Sequence, residues 1–450
     1  MSLPTVNPEQ PVQADHRLEW QPPTRPEWVQ RVNEEGYCMD IEGVVPLDEA
    51  SLLTSAMEST GLSDFGADDW REPFQVFLKS LREEAQLNLM GRIRTRSEIL
   101  QLLQARLQIE DTYKRHPEIA DEQITQPFII VGQGRSGTTL LQNLLDSHPD
   151  NGAPLHWEMV YPCPPPQSAT YRTDPRIEKA HTLIDQWNRV TPTFSSMHEF
   201  AGAIPMEDNV TMAMNFMAPT WLDCLGQVPS YDAYIFQQPV EPALHWLVRV
   251  LKLLQWKNPR KHWVLKDPMH LDRMSALLKV FPDACFIWPH RDPVRALASL
   301  VSIVGTIQWG RTDHPFSAVS LAYMTDPNLA AGRFDAVVDQ LDAGAVPAQL
   351  IYNVLFRDLV ADPVGQVAKM YDRFGIELTS EGRTAMTRYM EENPRDSRAP
   401  HQFSAGSPEA VARAHQAFAA YQQRFNIPSE QSIAGVFAAP AASVLRGDKT

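Results

Sequence analysis

At 450 residues the chain exceeds one minimal core and has room for one large domain with additions, or for two domains. Its apolar fraction of 43% and charged fraction of 21% are ordinary for a soluble globular protein, and a net charge of −15 argues against a general nucleic-acid binder while permitting a local basic pocket. The four cysteines, Cys38, Cys163, Cys224 and Cys285, form no C-x-x-C pair, which points to reduced thiols in a cytoplasm rather than to a disulfide framework or a zinc site.

The first twenty residues carry no apolar signal core, so export is not expected. No stretch reaches the ~20 apolar residues that a membrane span needs, and the chain reads as cytoplasmic. Residues 1–45 are rich in proline and charge and read as an extended arm. From about 47 to 115 the spacing is helical, with Phe74, Phe77, Leu78, Leu81 and Ala85 on one face and Ile99, Leu102, Leu103 and Leu107 on another. Asp69 just before the first of these helices and Pro73 in its first turn suit a helix start.

Residues 127–149, PFIIVGQGRSGTTLLQNLLDSHP, organise the rest. An apolar β-rich run over 128–131 predicts a buried parallel strand. The glycine turn GQGRSG over 132–137 follows it, and then a helix over 138–146 with Leu140, Leu141, Leu144 and Leu145 on one face. A strand, a tight turn and a helix start together make an anion cradle, because unpaired N–H groups converge there and the helix dipole adds positive potential. The spacing is close to G-x-x-x-x-G-K-[ST], but Thr138 stands where the phosphate-binding lysine belongs, and the cation, Arg135, lies inside the loop. Such a loop fits one tetrahedral anion and its neighbour better than a triphosphate on magnesium. A ligand-free glycine turn is the bland alternative, and Arg135, Ser136, Thr138 and Thr139 weigh against it. G-x-S-x-G fails here because position 138 is threonine.

Prolines at 162, 164, 165 and 166 mark residues 151–166 as an ordered loop, in which Glu158 between Trp157 and Met159 is a candidate desolvated base. Residues 168–240 are rich in methionine and aromatics, among them Met197, Phe200, Met206, Met212, Met214, Phe216, Met217, Trp221 and Tyr231. That composition fits a second core, the wall of an apolar acceptor pocket, or both. H-E-x-x-H fails after His198 because position 202 is glycine, and the neighbours Glu207 and Asp208 are expected to face different ways. Residues 262–271, HWVLKDPMHL, read as a strand that brings Lys266 and Asp267 to the sheet edge where ligands bind. His270 is either functional or a packing histidine. A third strand over 285–288 leads through Arg291 into a helix carrying Ser299, and this guanidinium and hydroxyl can clamp a phosphate. Residues 408–426 predict a terminal amphipathic helix, and the alanine-rich tail from Ser432 poor order.

GRSGTT before a leucine-rich helix resembles the 5′-phosphosulfate loop of sulfotransferases that use 3′-phosphoadenosine 5′-phosphosulfate (PAPS). The SHPDNGAPLHWE and Lys-Asp-Pro segments are similar to those of tyrosylprotein sulfotransferases, and the helical region before the loop resembles that of bacterial family members. The resemblance covers roughly residues 125–165, 262–304 and 349–376. It implies an α/β fold, a P-loop-like parallel sheet flanked by helices with an N-terminal helical extension. It implies PAPS as donor and 3′,5′-adenosine bisphosphate as product, with no metal. Glu158 would be the base, and Lys266 and Arg135 would stabilise the transition state. In cytosolic sulfotransferases the base is a histidine near this lysine, where this chain has Pro268, so His270 is a second candidate. Arg135, Ser136, Gly137, Thr138 and Thr139 would hold the 5′ end, Arg291 and Ser299 the 3′-phosphate, and Tyr352 would touch the nucleotide. The family's later basic glycine motif has Arg398 and His401 as its nearest cations here. The expected domains are 1–120 (arm and helices), 121–430 (α/β domain with an acceptor-site insertion around 168–240) and 431–450 (tail). The expected partner is a small-molecule or lipid hydroxyl acceptor, with no nucleic acid. The alternatives are a P-loop-type kinase or NTPase, with Asp267 as a magnesium ligand, and a non-catalytic nucleotide-binding module.

Overall fold

The fold is seen in a computed structural model that describes residues 20–314, 321–394, 403–404 and 406–430. Five parallel strands form one sheet in the order β2-β3-β1-β4-β5, with β1 Phe128–Ile130, β2 Asn151–Gly152, β3 His262–Lys266, β4 Cys285–His290 and β5 Ile351–Leu355. The strands β1, β3 and β4 are buried along their whole length, which is why they read as unbroken apolar runs rather than alternating ones. Register sets Lys266 level with Ile130 and Ile130 level with Ile287, so β1 and β3 end together below the glycine loop while β4 runs on to His290.

Each sheet face carries its own apolar cluster. On one, Phe128, Ile130, Val264 and Ile287 pack against Leu141, Leu144 and Leu145 of the helix Thr138–Asp146 and against Val367 and Met370 of the helix Pro363–Phe374. On the other, Ile129, Leu265 and Phe286 share one cluster with Phe74, Phe77 and Leu78 of the helix Arg71–Glu83 and Leu103 and Leu107 of the helix Leu89–Arg115. The N-terminal helices are thus continuous with the core beneath the sheet. The helical periods expected over 47–115 form as read, with Pro73 in the first turn and Asp69 in a 3₁₀ turn, Asp68–Trp70, before it.

Several expectations need correction. Where it is described, the arm expected over 1–45 includes two helices, Glu27–Gly36 and Ile41–Val44; Val29 and Gly36 are buried, and a Cβ on Gly36 would meet Leu89 at 2.8 Å. The segment 151–166 contains the edge strand β2 and a short helix, His156–Val160, because its prolines come after the helix rather than within it. The terminal helix divides at Phe418 into Pro408–Ala417 and Ala419–Phe425. Arg398, His401 and the tail from 431 lie outside the described residues.

Candidate functional site

The glycine loop takes the conformation its sequence requires. Gly132 and Gly137 have φ of 108° and 98°, and a Cβ at Gly132 would lie 2.8 Å from the Trp288 ring. Arg135 is left-handed too, at φ 73°, a local cost of the kind found where a loop must aim a side chain. Within the following helix the amide of Leu141 bonds the Gly137 carbonyl, so the earlier N–H groups of that turn have no intrahelical acceptor. The Ser136 hydroxyl donates to the Gln133 carbonyl at 2.6 Å and braces the turn from within.

Arg135 is the half-buried cation of the loop. Its Nε donates to the Ser299 hydroxyl at 3.0 Å, and among the described residues no acid pairs with it. Burial, reinforced by the charge of Arg291, lowers its pKa to about 10, so it remains a cation at neutral pH. Arg291 follows β4, donates from Nη1 to the Arg135 carbonyl at 2.9 Å and sits over the Phe356 ring, 4.1 Å from its centre. Arg135, Ser299 and Arg291 therefore meet at one end of the loop. Sequence reasoning passed over Arg295, although it lies one helical turn beyond Arg291, and also Glu430, whose carboxylate pairs with both arginines.

At the other end, Lys266 Nζ donates to Thr139 Oγ1 at 3.4 Å and lies 3.3 Å from a Glu207 carboxylate oxygen. The neighbours Glu207 and Asp208 do face different ways, yet both act on Lys266. Asp208 accepts the Lys266 amide on one oxygen at 2.7 Å and faces His270 Nε2 at 2.8 Å with the other, while its own amide bonds the Lys266 carbonyl. Burial opposes the charged form of His270, but the charge and hydrogen bond of Asp208 outweigh it and its pKa is raised. Burial also raises the pKa of Glu207, against the opposing effect of Lys266. Asp267 is 1% exposed and caps the turn Pro268–Arg273 through the Met269 amide, also accepting from Thr220 at 3.3 Å.

Two predicted residues lie elsewhere. Glu158 is fully buried in an ion pair with Arg260, and its second oxygen accepts from the Leu155 amide at 2.9 Å and the Tyr171 hydroxyl at 3.0 Å. Arg260 precedes β3, so this pair belongs to the end of the sheet away from Lys266. The carboxylate that meets Lys266 is Glu207. Tyr352 donates to Gln366 at 3.0 Å in the helix covering its face of the sheet, and this bond does not involve the loop. The methionine-rich stretch also divides: Met212, Phe216, Met217 and Tyr231 are buried in the main core. Phe200 and Trp221, with Trp187, Ile184 and His156, line a separate cavity. Trp221 adjoins Thr220, which accepts from Asn209 at 2.9 Å, and Asn209 reaches Glu207 at 3.3 Å.

No helix among the described residues is long and apolar enough to cross a membrane, and none of their acidic, histidine or cysteine groups cluster as a metal site. Over 265 residues the chain is 27% identical to the omega-hydroxy-beta-dihydromenaquinone-9 sulfotransferase Stf3 of Mycobacterium bovis and to that of Mycobacterium tuberculosis. That match takes in 56% of this chain and 63% of those proteins, so the chain spans less than two thirds of these relatives. The crystal structure of sulfotransferase STF1 from Mycobacterium tuberculosis is 28% identical, with a TM-score of 0.70 and coverage of 83% of this chain and 98% of that one. Sulfotransferase STF9 from Mycobacterium avium is 26% identical, with a TM-score of 0.71 and coverage of 85% and 98%. The pattern described as the Sulfotransferase family matches residues 127–380, more than half of the chain and all of it from the glycine loop through β5, and the chain therefore belongs to that family.

Proposed function

We propose that the chain transfers the sulfuryl group of PAPS to a hydroxyl of an apolar small-molecule or lipid acceptor. The observation that carries this reading is the pair of cationic ends beside one glycine loop, Lys266 on Thr139 at one and, at the other, Arg135 on Ser299 with Arg291 on the Arg135 carbonyl. A nucleotide with phosphate groups at both its 5′ and 3′ positions fits two such ends. The family membership supports sulfuryl rather than phosphoryl transfer, and Thr138 in the lysine position weighs against a kinase or NTPase.

In the proposed reaction the acceptor oxygen attacks sulfur in line as the bond from sulfur to the bridging 5′-phosphate oxygen breaks. The sulfate ester forms and 3′,5′-adenosine bisphosphate leaves. Negative charge gathers on the sulfuryl oxygens and the leaving phosphate, where Lys266, Arg135 and the loop N–H groups neutralise it. Glu207 receives the acceptor proton. The buried ion pair of Glu158 with Arg260 makes it a positioning residue for the loop after the cradle helix, and His270 with Asp208 fixes the end of β3. Tyr352, bonded to Gln366, fastens β5 to the helix Pro363–Phe374. No step requires a metal. An apolar part of the acceptor would enter by the cavity of Phe200, Trp187 and Trp221, which Thr220 and Asn209 connect to Glu207. The hydroxylated menaquinone derivative named for the mycobacterial relatives is an acceptor of that class.

Calorimetric titration with 3′,5′-adenosine bisphosphate, AMP and Mg-ATP tests the donor assignment. Binding that weakens at least tenfold without the 3′-phosphate, and again in Arg291→Ala, is expected. Tighter binding of Mg-ATP would overturn sulfuryl transfer in favour of an NTPase, and nucleotide binding with no transfer to any hydroxyl acceptor would favour a non-catalytic module.

A further inference from the structure

The cationic end of the loop is already occupied from within the chain. Glu430 lies across it, one oxygen accepting from Arg291 Nε at 2.6 Å and the other from Nη2 at 3.0 Å. Arg295 Nε lies 2.9 Å from the second oxygen, and the Glu430 amide donates to Asp292 at 2.6 Å. This two-point fork is the geometry in which arginine takes carboxylates and phosphates alike. The remaining terminal nitrogen of Arg291 donates to the Arg135 carbonyl, so the face turned to Glu430 is the one through which it could grip a phosphate.

We propose that Glu430 is an internal occupant of the donor's 3′-phosphate seat, that Arg291 and Arg295 together form that seat, and that nucleotide binding displaces the segment after Ile427. The proposal rests on the PAPS reading above. The chain is built for such a displacement to stay local. Ile427 is buried, and the helices before it are fastened by stacking of Tyr421 and Phe425 on Trp288 and His290. Among the described residues, Pro428, Ser429 and Glu430 would swing away, releasing the 3.4 Å bond from Gln422 to the Ser429 hydroxyl. A 3′-phosphate carries more charge than the carboxylate it replaces and offers three oxygens to the two guanidinium groups. Glu430 lowers donor affinity by the fraction of time it holds the seat, and a nucleotide with no 3′-phosphate gains nothing from its removal. Release of the segment would thus report a correctly phosphorylated nucleotide.

Calorimetry on Glu430→Gln and Glu430→Ala tests this, with Arg291→Ala as control and hydrogen exchange followed over 427–430. Both Glu430 variants should bind 3′,5′-adenosine bisphosphate about tenfold more tightly than wild type while AMP affinity stays the same. Adding the bisphosphate to wild type should raise exchange at the Glu430 amide. If wild type binds the bisphosphate through Arg291 but both variants bind no more tightly and the amide stays protected, the latch is wrong and the donor reading stands. If neither wild type nor variants bind the bisphosphate, both fail together.

Discussion

Lys266 is held by more of the chain than its own strand. Asp208 fixes its backbone from both sides, His270 fixes Asp208, and Glu207 and Thr139 meet its ammonium group. A lysine so restrained can stabilise developing charge without reorganising, which is where electrostatic catalysis draws its effect. The assignment separates two glutamates. Glu207→Gln should lower turnover by about 10²–10⁴-fold, the usual range for losing a general base, with bisphosphate affinity changed by less than about twofold. Because burial raises the Glu207 pKa, its basic form disappears at a higher pH than that of an ordinary glutamate near 4.3. The rate should therefore fall as pH drops through that raised value, and the Gln variant should lack this limb. Glu158 should respond differently. Its pair with Arg260 is 0% and 5% exposed, and Arg260→Ala leaves a buried carboxylate unmatched at a cost of about 3–5 kcal/mol. Thermal unfolding should show that loss; an Arg260→Ala protein of unchanged Tm but abolished turnover would return Glu158 to the reaction.

At the scale of elements, the loop and its helix were legible because their chemistry is local. Glycines at fixed spacing, an apolar run before them and a leucine face after them define the cradle within about 20 residues, by sterics and periodicity alone. Lys266 and Arg291 were legible for a related reason: Lys266 closes β3 and Arg291 follows β4, each after an apolar run, and parallel sheets present such residues on one edge. The acid partners were not, since Glu207 meets Lys266 across 59 positions and Glu430 meets Arg291 across 139, distances that only the tertiary fold closes. Glu158 misled for the same reason. Its sequence neighbourhood shows a buried carboxylate but not Arg260, 102 positions on. The loop carries its own prediction. Alanine at Gly137 would have to hold φ near 98° and set its Cβ 3.0 Å from Leu359 and Phe356. A left-handed backbone costs an alanine about 1–2 kcal/mol, which the loop can relieve by leaving its cradle shape. Gly137→Ala should weaken bisphosphate binding by about tenfold, measured by calorimetry, while Tm changes little.

Across the whole molecule, the helices before the loop share the sheet's core, so the catalytic edge and the N-terminal region fold as one apolar cluster. Arg106 is the polar tie within it. The side chain is 1% exposed, lies 4.2 Å from the Trp246 ring and donates to the Phe65 carbonyl at 2.7 Å and the Ala67 carbonyl at 3.0 Å. It also binds the side chain of Asn215, in the segment that leads from Glu207 to the cavity residue Trp221. Burial lowers its pKa to about 10, still charged at neutral pH, so its carbonyl partners and Asp69 compensate a real buried charge. Removing it leaves those acceptors unpaired and a void beside the Trp246 ring and the Trp70 ring, the latter 5.2 Å from the guanidinium. Arg106→Ala should therefore cost about 3–5 kcal/mol, which for a chain of this length is a fall of about 3–5 °C in Tm. The loss should extend to the site in one direction only. The Asn215 segment leads to Trp221 of the proposed acceptor cavity, whereas the glycine loop is braced from the sheet, so acceptor KM should rise several-fold while bisphosphate affinity stays near wild type. Equal loss of both would mean that the two halves of the site are coupled through the core rather than built on separate supports.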